Sequence, residues 1–195
     1  MSYLDLTSCA SATDLLAKLA ASDTEKNLSA GTAMAKVKAE NTLAAAYVFL
    51  SQGTPFINGG QEFLRTKKGD ENSYKSSDTI NQISLGMKET YGDVYNTYKG
   101  LIALRKANPE VFGKRTDSTA ETMKDADDKS VKGFTKYLPA GESGDFLIYF
   151  NATDEALSID TSGYTKLIDV TSGSPAENTS LPETVGAKSF VILKK

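Results

Sequence analysis

The sequence contains no histidine and a single cysteine, Cys9. Without histidine, a Ser-His-Asp triad, a Cys-His dyad and a His-ligated metal centre are all excluded. One cysteine forms no internal disulfide and supplies too few thiolates for a zinc site. Any acid–base chemistry in this chain would therefore rest on Asp, Glu, Lys or Tyr. No metal and no other cofactor is expected.

Tryptophan is also absent, and the net charge is small and negative. Nine tyrosines are left as aromatic platforms on which a sugar ring could stack. The net charge of −3 and a pI near 5.1, with no basic amphipathic stripe, predict no nucleic-acid partner and no anionic membrane partner. No apolar run has the length of a membrane span, and the first residues lack a basic leader. We therefore expect a cytoplasmic protein.

Before residue 113 the sequence is dominated by helical patterns. Apolar and alanine positions recur at helical spacing over Ala33–Leu50, and Gly53 is placed to end that helix in a left-handed conformation. A second helix is predicted over Asp93–Asn108, with Asp93 as its N-cap and Pro109 as its stop. A shorter helix is predicted through Leu15–Leu19.

Between the two long helices lies a short apolar segment followed by a polar one. The segment "TPFIN" (54–58) fits a buried strand that Gly59 and Gly60 end. Residues 65–92 are rich in Lys, Asp, Asn and Ser, which predicts a long loop. Loops of that length in a compact domain are usually functional or disordered.

After Gly113 the pattern changes to short strands separated by turns. Five strands are predicted, over residues 130–138, 145–151, 156–160, 165–170 and 188–194. Strands without intervening helices favour a small antiparallel β-sandwich. The run "DADDK" (125–129) lacks the spacing and closing Glu of a calcium loop and is better explained as a solvated turn. The overall expectation is an α+β chain.

One stretch carries a family resemblance. The residues "SQGTPFINGGQEFLRTKKGDENSYKSSDTINQI", followed by "YKGLIALRKANPEVF", resemble the C-terminal part of a type I pullulanase. These are α-1,6-glucan debranching enzymes of glycoside hydrolase family 13, in the α-amylase superfamily. The resemblance implies that residues 1–113 are the last strands and helices of a (β/α)8 barrel. It implies a C-terminal β-sandwich domain for residues 114–195.

The resemblance also implies a place for the polar loop. In such barrels the active site lies at the carboxyl ends of the strands, so residues 61–78 would line the glucan cleft after the eighth strand. The side chains that could face a sugar are Glu62, Arg65, Asp70, Asn72, Tyr74 and Asp78. Carboxylates, amides and guanidinium groups match sugar hydroxyls, and Tyr74 could stack on a pyranose ring. Each charged residue taken alone also fits a solvated loop, and Glu62 equally fits a structural hydrogen-bond acceptor.

The residues that cut the glycosidic bond are not found in this sequence. Hydrolysis needs two carboxyl groups across the bond, and the family carries its nucleophilic Asp and acid Glu on the fourth and fifth barrel strands, which would precede Met1. Where the family has Cys-His-Asp, this chain has Cys9, Ala10 and Ser11. Ser84 and Leu85 stand where an Asp-Trp pair is typical. No catalytic residue is therefore assigned.

Three hypotheses follow. The first is a C-terminal fragment or degenerate relative of a type I pullulanase that does not hydrolyse glucan alone. The second is a glucan-binding or protein-interaction module that uses the loop and the sandwich. The third is one half of a split glycoside hydrolase, whose partner is the missing N-terminal barrel portion or a second copy of the chain.

Overall fold

The computed structural model describes residues 30–68, 70, 72–113, 118–124, 130–140 and 144–195. These residues form two compact units. Unit one contains the described residues up to Lys38 and Ile57–Gly92, and unit two contains Ala39–Phe56 and Asp93–Lys195. The predicted helix through Leu15–Leu19, the segment around Cys9 and the turn at 125–129 lie outside the described residues.

Five α-helices and two 3-10 turns make up the helical part of the described chain. The turns are Gln61–Phe63 and Ser73–Lys75. The helices are α1 (Ala30–Phe49), α2 (Asp78–Asn81), α3 (Met87–Thr90), α4 (Gly92–Ala107) and α5 (Pro109–Phe112).

Helix α1 confirms the predicted helix. Its buried side chains include Ala45, Ala46 and Phe49, whereas Ala44 is exposed and the Tyr47 side chain is 51% exposed. Alanine occurs on every face of this helix, so the apolar spacing does not identify the packed side. Gly53 has the predicted left-handed conformation, with φ +93°, but it does not cap the helix. The helix ends at Phe49, and the Gly53 N–H donates to the Phe112 carbonyl at 2.9 Å.

Helix α4 confirms the second predicted helix and ends before proline as expected. Asp93 lies in its first turn and does not precede the helix. The Asn108 side chain donates a hydrogen bond to the Leu104 carbonyl at 2.9 Å, which satisfies one of the last carbonyls of α4. Pro109 then begins α5, because its missing N–H is no loss at a first helical position.

In the described residues, eight strands form two antiparallel sheets. The strands are β1 (Thr119–Lys124), β2 (Ser130–Leu138), β3 (Phe146–Asn151), β4 (Leu157–Ser158), β5 (Lys166–Asp169), β6 (Ala176–Asn178), β7 (Thr184–Val185) and β8 (Ser189–Lys194). The larger sheet has the order β1-β2-β3-β8-β5-β6, and β4 pairs with β7 in the smaller one.

Both faces of the central strand β3 are covered in unit two. On one face the Phe112 ring lies 5.7 Å from the Phe146 ring, and the Tyr47 ring lies 5.8 Å from the Phe150 ring. On the other face Tyr149 packs in a cluster with Met123 and Val185. A strand buried on both sides can be apolar throughout, and this explains the uninterrupted "FLIYF" of β3.

The five predicted strands are present, and three more were not predicted. The additional strands are β1, β6 and β7. Strand β1, "TAETMK", has Met123 as its one large apolar residue, and β6 and β7 have only three and two residues. Such segments lack the alternation from which a strand is recognised.

An α+β chain with an antiparallel sheet is thus confirmed. The strand predicted over Thr54–Asn58 is wrong, because no strand is assigned to these residues. A short apolar run becomes a strand only when it pairs with a neighbour. The domain boundary between 113 and 114 stays a prediction.

Candidate functional site

The candidate loop begins at a tight turn in unit one. The Gln61 N–H donates to the Asn58 carbonyl at 3.1 Å, and Gly60 has φ +94°. The Gly60 N–H donates to Glu62 Oε2 at 2.9 Å. A Cβ at Gly60 would lie 2.6 Å from Arg65 Cβ, so both conformation and space require glycine here. Glu62 therefore serves as an acceptor within the turn.

Arg65 ties the two ends of the loop together. Its Nη1 donates to the Gly59 carbonyl and its Nε to the Gln82 carbonyl, each at 3.3 Å. Its Nη2 donates to the Asn81 carbonyl. A planar guanidinium with five donors can serve several acceptors at once. Arg65 thus connects the start of the loop to Asn81 and Gln82, which follow it by 16 and 17 positions in the sequence.

A second set of hydrogen bonds closes the middle of the loop. The Asn81 Nδ2 donates to the Ser73 carbonyl at 2.7 Å and to the Ser76 carbonyl at 2.9 Å. Asp70 accepts from the Asn72 N–H at 3.1 Å and from the Ser76 hydroxyl. These bonds link the start, middle and end of the segment, and they hold Asp70, Ser76 and Asn81 in place relative to one another.

The remaining three candidates lie on the surface. Asn72, Tyr74 and Asp78 are exposed, and the Tyr74 side chain is 73% exposed. The Lys75 Nζ lies 5.2 Å from the centre of the Tyr74 ring. Asp78 is the first residue of α2. These side chains offer an aromatic face, a carboxylate, an amide and a cation to an incoming ligand.

The six predicted residues therefore fall into two groups within unit one. The structure engages Glu62, Arg65 and Asp70 in hydrogen bonds inside the loop and leaves Asn72, Tyr74 and Asp78 exposed. Their contact with a sugar stays a prediction for all six.

Sequence reasoning missed two residues that shape the loop. Asn81 holds two carbonyls, and Lys67 donates to the Ser73 hydroxyl at 2.6 Å. Asn81 belongs to the "INQ" motif that contributed to the family resemblance, so the motif was a signal for it. Lys67 lies in a pair of lysines with no distinguishing pattern.

In unit two, Arg105 fixes the residues that lead towards the loop. Its guanidinium donates to the carbonyls of Phe49, Ser51 and Gly53 at 2.5–2.6 Å and to that of Phe112 at 3.1 Å. Phe49 is the last residue of α1, so its carbonyl has no partner within the helix. The position of Gly53, five residues before Asn58, thus depends on Arg105.

The same region also holds a partly desolvated lysine. The Lys136 Nζ donates to the Ser51 hydroxyl at 3.0 Å. Burial, and then the nearby positive charge of Arg105, lower the pKa of Lys136 below its ordinary value. The charge nevertheless has a polar partner, so we assign Lys136 to the packing of this region.

The described residues contain neither a metal-binding cluster nor a membrane-spanning helix. Within those ranges, no group of three or more His, Cys, Asp or Glu side chains is arranged to hold a metal ion. None of the helices there combines the length and apolar character needed to cross a membrane.

Known proteins with similar sequences are debranching enzymes. No family model matches the chain. It is 51% identical over 72 residues to a pullulanase from Bacillus subtilis, which is 37% of this chain and 10% of that protein. It is 28% identical over 141 residues to an isoamylase from Pseudomonas amyloderamosa, which is 71% of this chain and 16% of that protein. The chain thus spans a small part of the length of these relatives.

Solved structures with a similar fold are pullulanases. A pullulanase from Bacillus acidopullulyticus superposes with a TM-score of 0.70 at 26% identity, over 93% of this chain and 22% of that one. The type I pullulanase of Bacillus subtilis complexed with maltose superposes with a TM-score of 0.64 at 29% identity, over 82% of this chain and 24% of that one. The homologues and structural neighbours of this protein are therefore pullulanases and isoamylases, debranching enzymes of glycoside hydrolase family 13, and it corresponds to their C-terminal region.

Proposed function

We propose that this chain is the barrel end and terminal β-sandwich of an α-1,6-glucan debranching enzyme, and that its contribution is recognition of glucan. The proposal is carried by the 51% identity to a pullulanase over 72 residues. In this proposal residues 1–113 derive from the barrel and residues 114–195 from the sandwich. The nucleophile and the general acid are not among its residues, so the chain does not hydrolyse glucan alone.

The ordered loop supports a role in recognition. Binding is tighter when the ligand-contacting groups are held in place beforehand, because less conformational entropy is lost. Arg65 and Asn81 hold the loop through backbone carbonyls, and they leave the exposed side chains of Asn72, Tyr74 and Asp78 to the ligand. The Tyr74 ring would stack on a pyranose face, and Asp78 would accept from its hydroxyls.

Calorimetry with a maltooligosaccharide tests the binding part of the proposal. We expect the wild-type chain to release heat and Tyr74→Ala to lose that heat without a change in unfolding free energy. Tyr74→Phe keeps the ring and is expected to keep the binding. Leu85→Ala removes another exposed side chain of unit one, 70% exposed, and serves as the matched control. Absence of heat at millimolar ligand would contradict a role in recognition.

Incubation with pullulan tests the catalytic part. We expect the purified protein to release no reducing ends, because a glycosidic bond is cut by two opposed carboxyl groups. If the protein hydrolyses pullulan and replacement of one Asp or Glu abolishes this activity, a catalytic pair is present. The proposal would then be wrong.

One half of a split glycoside hydrolase is a second candidate. The observation in its favour is the Phe56 side chain, which is 91% exposed in a segment that belongs to neither a helix nor a strand. A segment that pairs with no strand can add to the sheet of a partner, and the Phe56 ring would then be covered. Sedimentation is expected to detect a dimer, or a complex with an added barrel portion, if this candidate is correct. A monomer that unfolds cooperatively, and that binds no barrel portion, would exclude it.

A further inference from the structure

Asn58 and Gly59 form an exposed Asn-Gly pair just before the candidate loop. Both residues are exposed and lie outside helices and strands. The Asn58 carbonyl accepts the Gln61 N–H, which places Gly59 inside a turn. Across the described part of the protein, neither the Asn58 side-chain amide nor the Gly59 N–H forms a hydrogen bond. Both groups are therefore free to react with each other.

We propose that Asn58 is a site of spontaneous deamidation, with water as the only co-reactant. The deprotonated backbone nitrogen of Gly59 attacks Cγ, the side-chain amide carbon of Asn58, so that a new C–N bond closes a five-membered ring. The bond between that carbon and Nδ2 then breaks with release of ammonia. Water adds to one of the two carbonyls of the resulting succinimide and reopens the ring. The product is aspartate or isoaspartate at position 58, and no oxidant or reductant is needed.

The structure distinguishes Asn58 from the other asparagines. It is the only asparagine in the sequence followed by glycine, whose lack of a Cβ leaves its nitrogen unobstructed. Asn151, in contrast, is fully buried, and its Nδ2 donates to the carbonyls of Glu155 and Gly186 at 2.7 and 2.8 Å. A side-chain amide held by such hydrogen bonds cannot rotate towards the backbone nitrogen of the next residue. Exposure and sequence coincide only at Asn58.

The reaction would affect the hydrogen bonds from Arg65 to the carbonyls of Gly59, Asn81 and Gln82, which we call the Arg65 clamp. The Gly59 carbonyl accepts from Arg65 Nη1 at 3.3 Å. Isoaspartate inserts one additional carbon into the backbone directly before Gly59, so this carbonyl can no longer keep its position. Aspartate leaves the backbone unchanged and adds only a negative charge. The isoaspartate product should therefore loosen residues 59–65 and 81–82, and the aspartate product should not.

The test is mass spectrometry of the protein after incubation in a mildly alkaline buffer. We expect the peptide that contains Asn58 to gain the mass difference between an amide and a carboxyl group. Gly59→Ala should lose this signal, because the new methyl obstructs the attacking nitrogen. A Cβ at Gly59 would lie 3.7 Å from Ile83 Cδ1, an ordinary contact, and φ of Gly59 is outside the left-handed region. Asn58→Gln, on an exposed position, is a second variant that should not react.

Amide hydrogen exchange tests the consequence. We expect faster exchange at residues 59–65 and 81–82 in the aged protein and unchanged exchange in Asn58→Asp. The modification would be overturned if the folded protein gained no mass at Asn58 while the urea-unfolded protein did, or if Gly59→Ala reacted as fast as the wild type. Unchanged exchange in a sample that contains isoaspartate would overturn the effect on the clamp. None of these readouts depends on glucan binding.

Discussion

Unit two and residues 57–92 of unit one are stabilised by different interactions. In unit two, apolar side chains of the sheet and of the helices pack on both faces of β3. Between Ile57 and Gly92, the buried apolar side chains of the described residues are Phe63 and Leu64 alone. Hydrogen bonds from Arg65, Lys67 and Asn81 hold that region. A segment of this kind can present polar groups to a ligand, because it does not need to bury them.

The difference also predicts how each region responds to substitution. Loss of a buried ring leaves a cavity that weakens the whole cooperative unit. Loss of a loop hydrogen bond releases only the residues that the bond held. We therefore expect substitutions in the core of unit two to change the stability of the protein more than substitutions in the loop.

The largest effect is expected for Phe146→Ala in β3. The side chain is fully buried and packs against Phe112, so its removal should lower the free energy of unfolding by about 3–5 kcal/mol. Urea denaturation measures the change. Leu85→Ala, at a side chain that is 70% exposed, is the control and should change this free energy by less than about 0.5 kcal/mol. Equal effects of the two substitutions would contradict the contrast between the units.

A local effect is expected for Arg65→Gln. Hydrogen bonds to a charged group contribute about 1.5–3 kcal/mol, and here they join only Gly59, Asn81 and Gln82 to one side chain. Amide exchange should therefore become faster at residues 59–60 and 81–82, while urea denaturation of unit two changes little. Arg65→Lys is expected to behave in the same way, since one ammonium cannot serve three carbonyls in a plane. A lower stability of unit two would show that Arg65 has a wider role.

The smallest effect is expected for the carboxylate of Asp145, a side chain that is 15% exposed. Hydrogen bonds from Lys195, the Ala140 N–H and Tyr137 lower the pKa of Asp145 from 3.8 to about 2. A lowered pKa means that the stabilisation is complete above the unfolded value of 3.8 and is lost as the pH falls towards 2. The free energy of unfolding should therefore decrease over this range more steeply in the wild type than in Asp145→Asn. Parallel pH profiles would show that Asp145 contributes nothing.

The sequence predicted the elements whose pattern is carried by many residues. Helices α1 and α4, the strand β3 and the left-handed Gly53 were expected from periodicity and from residue type. Strand β6, with three exposed residues, has no such pattern and was missed. The segment Thr54–Asn58 had the composition of a strand but has no strand partner in the described residues.

The sequence singled out the segment that carries the candidate residues, but it did not predict the hydrogen bonds within that segment. Sequence and family resemblance put the polar loop at residues 61–78, yet they treated Arg65 and Tyr74 as equivalent candidates. In the structure the guanidinium of Arg65 donates to three carbonyls, while the Tyr74 ring is 73% exposed. The same type of residue can form hydrogen bonds inside a loop or contact a ligand. Only the acceptors around each side chain distinguish them.

The local elements, the exclusion of histidine chemistry and the resemblance to debranching enzymes could all be predicted from the sequence, because each depends on residue types and their spacing. The tertiary structure decided which face of α1 is buried, how Arg105 fixes Gly53, and which loop residues are already bonded. These features depend on contacts between residues far apart in the sequence. No local pattern records such contacts, because the partners are brought together only when the protein folds.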